Sequence, residues 1–190
     1  MTELWLLRHG QTDWNVTGRW QGQTSEAPGL NDTGRAQAVS AREHLTGMRF
    51  TAIYCSDLLR ARQTAELISK SLNLNISLEP RLREMNLGAW EGMLSSDIEA
   101  RYPQELAERA HDPLHARPPK GESPLEVEKR VLASVMDITE KYPDDSVLIV
   151  SHGVALAVII CHAQGIPMEE VYEHIPENAI PYHVVWNSKR

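Results

Sequence analysis

Two histidines stand in matching local settings. His9 follows Leu6-Leu7-Arg8 and precedes Gly10; His152 follows Val150-Ser151 and precedes Gly153. Each comes directly after a short apolar run. A glycine at the next position carries no side chain, so backbone N–H groups there can approach an anion closely. A third element is Ser56-Asp57-Leu58-Leu59-Arg60-Ala61-Arg62. Arg60 and Arg62 are two apart and point about opposite ways on a helix, so one can face a site while the other faces solvent. Arginine matches phosphate oxygens through a fork that lysine lacks. A fourth is Glu84, at the head of a run ending at Gly92. A carboxylic acid beside a reacting ester can protonate the departing oxygen. Taken alone, a histidine after a strand is more often a hydrogen-bonded structural residue, and a lone arginine or glutamate is more often a surface charge. Four such elements in order, each at a strand end or in a loop beside it, point instead to one anion-handling site.

Other chemistries fit less well. His111 and His115 are four apart, but Pro113 between them breaks a helical metal pair. No cysteine pair has zinc spacing. The glycines from Gly18 to Gly22 match neither a dinucleotide fingerprint nor a P-loop. Ser151 before His152 lacks the glycine pattern of a nucleophile elbow. No metal and no cofactor is expected.

The site needs a sheet to hold it. The first strand is expected over residues 3–8. Residues 11–31 form a polar stretch too long for a passive connection, so a functional loop is expected there. A helix capped at Asp32 or Thr33 should run to about Leu45, with a strand over 52–55 and a helix over 58–72. Residues 76–78 read as a weak strand. The middle of the chain reads as irregular, with short helical stretches over 95–102 and 104–110. Ser123-Pro124 starts a helix that should reach about Lys141. Residues 146–150 read as a buried strand, 153–164 as a helix and 179–186 as a closing strand. Strands alternating with helices indicate an α/β fold: three layers, a mostly parallel central sheet and helices on both faces. The chain of 190 residues is expected to be a single domain, 1–190, with a lid-like insertion at about 92–122. In such sheets ligands gather at the carboxyl ends of the strands.

Bulk composition narrows the partners. The hydrophobic fraction is 42% and the formal net charge −7. That charge argues against nucleic acid and against an anionic membrane surface. It does not oppose a small anionic substrate met by a few focused arginines. The apolar run from Val154 to Cys161 falls well short of the roughly 20 residues of a membrane helix. Cys55 and Cys161 are read as buried, reduced thiols. The start Met1-Thr2-Glu3 lacks the basic residues of a signal peptide. A cytoplasmic location is expected. The apolar strand ending at Trp186 offers an edge for a homodimer; an edge capped by residues 187–190 is the other reading.

The order of motifs is similar to that of the histidine phosphatase superfamily, also called phosphoglycerate-mutase-like. The match runs through Leu7-Arg8-His9-Gly10-Gln11-Thr12, Asn15 and Leu30-Asn31-Asp32-Thr33-Gly34. It continues through Ser56 to Ala61, Gln63-Thr64-Ala65, Glu84 to Gly92, Gly121-Glu122-Ser123 and Val150-Ser151-His152-Gly153. The resemblance implies that His9 attacks phosphorus and becomes phosphohistidine. Arg8, Arg60 and His152 would hold the phosphoryl oxygens, with Asn15 and the Gly153 backbone as added donors. Glu84 would protonate the leaving alkoxide and later activate water. A backbone carbonyl is expected to hold the other ring nitrogen of His9.

The family contains phosphatases and mutases. Its mutases usually carry a longer insertion after the Glu84 motif, with basic residues that clamp a second acidic group. Here Met93-Leu94-Ser95-Ser96-Asp97 follows Gly92, with no Lys or Arg before Arg101. Val154 stands where mutases tend to have Asn. A phosphatase acting on a small phosphate ester is therefore expected, with a phosphoglycerate mutase as the alternative. A non-catalytic phosphate-binding module is a further reading, disfavoured by the presence of His9, Arg60, Glu84 and His152. Arg117-Pro118-Pro119 resembles a mutase segment. Trp14, Trp20, Gln21, Met85, Asn86 and the lid from Arg101 to Lys120 are the expected substrate selectors, and Trp14 and Trp20 are read as cleft-rim residues. The loop 23–29 is longer than the family's usual stretch and could narrow the cleft or lie away from it.

Overall fold

The computed structural model describes residues 1–187. Five strands form one sheet: β1 (Thr2–Arg8), β2 (Ala52–Cys55), β3 (Ile76–Leu78), β4 (Ser146–Ser151) and β5 (Tyr182–Trp186). Their spatial order is β3-β2-β4-β1-β5, with β5 alone antiparallel to its neighbour. Among the described residues seven α-helices accompany them: α1 (Asp13–Val16), α2 (Asp32–Leu45), α3 (Leu59–Leu72), α4 (Ser95–Arg101), α5 (Pro103–His111), α6 (Pro124–Lys141) and α7 (Gly153–Gln164).

Alternation along the strands builds two cores. Leu4 and Leu6 of β1, with Val147 and Ile149 of β4, face the layer made by α6 and α7. Leu7, Leu148 and Val150 face the layer made by α2 and α3. Successive strand residues point to opposite faces, so this sheet is buried on both sides. The three-layer α/β architecture is therefore present, with a mostly parallel sheet. From Val154 to Cys161, every residue of α7 is buried, as expected for a helix packed on several sides.

Local sequence explains the helix starts. Asn31 caps α2 by accepting from the Gly34 N–H. Ser123 and Glu126 form a reciprocal capping box at α6, with Pro124 at the first helical position. The polar stretch 11–31 contains one short helix, α1, capped by Thr12. The closing strand begins at Tyr182 rather than 179, because Ala179 has a left-handed φ of 53°. The 153–164 helix matches its expected bounds, and α5 begins at Pro103. Cys55 and Cys161 are buried and unbridged. Among the described residues no helix is long and apolar enough to cross a membrane. The edge-capping reading of the tail falls largely on residues 188–190, outside the described residues.

Candidate active site

Strand pairing brings the two histidines together. β1 and β4 are parallel neighbours, with Arg8 opposite Ser151. The His9 N–H donates to the Ser151 carbonyl at 3.0 Å, so both imidazoles leave the same sheet edge. Their ring centroids are 5.2 Å apart. β2 lies on the other side of β4, and the Ser56 N–H donates to Val150 O at 3.0 Å. Ser56, His152 and His9 thus stand side by side at the carboxyl end of the sheet.

Hydrogen bonding fixes the His9 tautomer. Its Nδ1 lies 2.7 Å from the Gly10 carbonyl, and a carbonyl can only accept, so Nδ1 carries the proton. That leaves a lone pair on Nε2, to which Arg60 Nε donates at 3.2 Å. His9 is 2% exposed. Burial holds its pKa well below the ordinary histidine value, helped by the Arg60 and Arg8 charges and opposed by the Gly10 carbonyl. A neutral ring with an unprotonated Nε2 is the form a nucleophile needs. The close seat of Gly10 depends on its missing side chain, since a Cβ there would collide with the Gly34 carbonyl.

The cations are tethered. Arg60 is buried in the first turn of α3, and its second amino group donates to the Gly22 carbonyl at 2.9 Å. Burial pushes its pKa down to about 10, which leaves it charged at neutral pH. Arg8 donates to the Pro176 carbonyl at 3.0 Å. Burial also lowers its pKa, against the raising effect of Glu84.

His152 is buried, with its pKa well below the ordinary histidine value through burial first and the Arg60 charge second. Its Nε2 lies 2.7 Å from the Ser56 hydroxyl. That hydroxyl oxygen accepts the Leu58 N–H at 3.3 Å, and among the described residues Nε2 is the acceptor within reach of its proton. A neutral ring accepting at Nε2 carries its N–H on Nδ1. This Nδ1 is buried and has no partner. A buried donor without an acceptor is costly unless a ligand supplies one.

Glu84 approaches from the other side. Its Oε1 accepts from the Met85 and Val154 N–H groups at 2.9 and 3.1 Å. The carboxyl group thus sits at the start of α7. A Cβ on Gly153 would come within 3.4 Å of Glu84 Oε2 and 3.0 Å of an Ile175 methyl. The Gly153 N–H belongs to the first helical turn, outside the internal ladder. Behind Glu84, Arg130 of α6 donates to the carbonyls of Arg81, Arg83 and Glu84 at 2.8, 2.7 and 2.9 Å. Arg130 also pairs with Glu122 at 2.8 Å.

His9, Arg8, Arg60, Glu84, Asn15, Trp20, Gln21 and Met85 all border one cleft of about 320 Å³. Asn15 Oδ1 is occupied by the Thr12 N–H at 3.0 Å, which leaves its amide nitrogen as the donor for a ligand. Gln21 Oε1 accepts from Thr12 at 3.1 Å. His152 and Gly153 are not among the residues on the cleft wall, and three further sequence expectations are displaced. Asn86 does not border the cleft: its Oδ1 accepts the Gly88 N–H at 2.8 Å in an Asx turn, and its backbone pairs with Glu122. Trp14 lies against Gly92 and Arg19 rather than on the cleft wall. Of the two readings of the loop 23–29, the one that puts it off the wall holds, although Gln23 Nε2 donates to Glu84 O at 2.8 Å. Arg117 pairs with Glu126 at 3.2 Å, away from the cleft.

Sequence reasoning did not single out Arg109, Arg19 or Tyr172, which also line the cleft. Arg109 stands within the lid stretch named above, but Tyr172 carries no local signal. A larger cavity of about 610 Å³ lies on the far side of Arg8, toward α2. It holds none of the paired histidines or Glu84, so the smaller cleft is the chemical one.

Comparison with known proteins agrees with this geometry. The model of the histidine phosphatase superfamily (branch 1) matches residues 4–190. Phosphoserine phosphatase 1 of Hydrogenobacter thermophilus is 30% identical over 190 residues, covering 100% of this chain and 89% of that protein. A probable phosphoglycerate mutase, GpmB, of Erwinia tasmaniensis is 34% identical, covering 88% and 77%. The structure of the mycobacterial glucosyl-3-phosphoglycerate phosphatase with VO3 has a TM-score of 0.85 and 34% identity, covering 95% and 91%. The α-ribazole phosphatase of Shigella flexneri has a TM-score of 0.88 and 30% identity, covering 98% and 92%. With the family match spanning nearly every residue and the paired histidines at one sheet edge, the chain belongs to branch 1 of the histidine phosphatase superfamily.

Proposed function

We propose that this protein is a metal-independent phosphatase that hydrolyses a small phosphomonoester through a phosphohistidine on His9. The observation that carries this reading is the orientation of His9. Its Nδ1 proton is held by Gly10, and its Nε2 faces Arg60 at the cleft. Nε2 attacks phosphorus as the ester P–O bond breaks, and Glu84 gives its proton to the leaving oxygen. Water then attacks the phosphohistidine. Glu84 takes a proton from that water, and the Nε2–P bond breaks to release phosphate. Arg8, Arg60, the Nδ1 proton of His152, Asn15 and the Gly153 N–H stabilise the phosphoryl oxygens. Guanidinium groups and fixed donors supply the charge stabilisation that phosphoryl transfer needs. Trp20, Gln21 and Met85 select the leaving group. Residues 92–122 act as a lid on the single domain. A cytoplasmic place of action and a homodimer through the free edge of β5 go with this reading; sedimentation tests the dimer.

The mutase reading has one observation in its favour, the 34% identity to a probable phosphoglycerate mutase. The test is phosphate release from an aryl phosphate with a chelator present, followed by 3-phosphoglycerate with its bisphosphate primer. Hydrolysis that survives the chelator is expected, with free phosphate appearing faster than isomer. Loss of hydrolysis with the chelator contradicts the metal-free mechanism. Faster isomer formation selects the mutase.

A further inference from the structure

The carbonyl that takes the His9 proton belongs to the residue least able to hold itself still. Gly10 has no side chain, and glycine leaves the peptides on either side of it free to rotate. A stiffer residue does not fit, because its Cβ would collide with the Gly34 carbonyl. Strand pairing does not reach this point from the β5 side. The pairing of β1 with β5 ends at Leu6 opposite Tyr182, so the backbone of Arg8 and His9 runs past that neighbour.

Three side chains from distant segments meet the loose peptides. The Asn178 amide donates to the His9 carbonyl at 2.7 Å. The Thr64 hydroxyl oxygen, on α3, accepts the Gly10 N–H at 3.1 Å. The peptide joining His9 to Gly10 is therefore held at both its polar atoms. The next peptide is held too: Gln37 of α2 accepts the Gln11 N–H at 2.9 Å, while the Gly10 carbonyl faces Nδ1. Thr64 is fully buried, and its own proton goes to the Arg60 carbonyl at 2.8 Å. One hydroxyl thus ties the peptide beside Nδ1 to the helix whose Arg60 donates to Nε2. None of the three residues lines the cleft; Gln37 and Asn178 border the larger cavity behind Arg8. They reach the ring through the backbone, away from any ester in the cleft.

We infer that Asn178, Thr64 and Gln37 are positioning residues, which together hold the two peptides flanking Gly10, keep its carbonyl on His9 Nδ1 and so aim Nε2 into the cleft. This rests on the phosphatase reading and adds what makes its nucleophile rigid. In-line attack needs the reacting atoms aligned, and a small misplacement slows it steeply. Thr64→Val keeps the shape of the side chain but leaves the Gly10 N–H buried without its acceptor. Arg60 still donates to Nε2 in that variant, so the proton stays on Nδ1. What weakens is its bond to Gly10.

The test reads the His9 Nδ1–H group by nitrogen and proton NMR of the free protein, beside phosphate release from an aryl phosphate. The wild type is expected to show a hydrogen-bonded Nδ1–H that exchanges slowly with water. In Thr64→Val, Asn178→Ala and Gln37→Leu that proton is expected to move upfield and exchange faster. In the same variants kcat is expected to fall by about tenfold, with KM changing less. Thr64→Ser keeps the hydroxyl and Gln37→Glu keeps the acceptor, so each should retain both properties. A merely structural role would lower the melting temperature and leave the Nδ1–H signal in place. An unchanged signal in the folded variants, with the wild type hydrolysing the ester, overturns the inference alone. Asn178 and Gln37 are only partly buried, so their variants decide the matter where Thr64→Val does not fold. A wild-type His9 without a hydrogen-bonded Nδ1–H also overturns it. No phosphate release by the wild type overturns the phosphatase reading together with the inference.

Discussion

At the scale of single residues, the site is a set of tautomers and charges held by neighbours. Gly10 fixes the His9 proton, and Ser56 does the same for His152 from the adjacent strand. Ser56→Ala removes the group that keeps the His152 N–H on Nδ1. The expected loss in kcat/KM on an aryl phosphate is about tenfold to a hundredfold, the scale of one buried hydrogen bond to a charged group. The nitrogen NMR shifts of His152 should change from one tautomer to a mixture, and Ser56→Thr should restore both properties. Unchanged shifts in Ser56→Ala would show that another group sets the tautomer. The main participants in the proposed mechanism were legible in sequence as residue types: His9, His152, Arg60 and Glu84 each stand at a strand end or in a loop beside one. Their adjacency was not, because it depends on β1 pairing with β4 across about three quarters of the chain. Asn86 is next to Met85 in sequence, but its side chain accepts the Gly88 N–H and is spent on the turn.

At the scale of elements, the loop bearing Glu84 is held from behind by a helix. Arg130 of α6 meets the carbonyls of Arg81, Arg83 and Glu84 and the Glu122 carboxylate. Arg130→Met leaves those carbonyls without their donor. Stability is expected to fall by about 2–4 kcal/mol, and kcat to fall as Glu84 loses its backing. Urea unfolding and steady-state kinetics check the two effects. A variant as stable and as active as the parent would remove this loop from the mechanism. The sequence shows α6 plainly through its capping box and apolar stripe. It does not show which of its charged residues turns inward, because an arginine on a helix reads as solvent-facing until its distant carbonyl partners are placed. The closing strand was legible to within three residues at its start, where Ala179 takes the left-handed conformation that no local signal announced.

At the scale of the whole molecule, the price of the site is paid in acid. His9 and His152 are buried and kept neutral, with pKa values well below that of the unfolded chain. The unfolded chain takes up both protons near pH ~6.5. Below that pH it binds more protons than the folded protein, so stability falls as pH falls and is fully present above it. Each histidine contributes a slope of up to about 1.4 kcal/mol per pH unit. The urea midpoint is expected to drop between about pH 7.5 and pH 5.5, and less steeply in His152→Gln. A flat midpoint across that interval would mean that the folded protein protonates these rings readily. The layered α/β fold itself was legible because strand and helix periods alternate along the chain. The strand order and the cleft-facing side of α5 were not, since both arise from contacts between distant segments.

The central claim is that the phosphoryl group passes through His9 before it reaches water. Its most direct test is the stereochemical course at phosphorus, using an ester made chiral with sulfur and oxygen isotopes and hydrolysed in isotopic water. Two in-line displacements, first by His9 and then by water, are expected to give net retention. Net inversion would mean a single attack by water on the ester and would contradict a phosphohistidine intermediate.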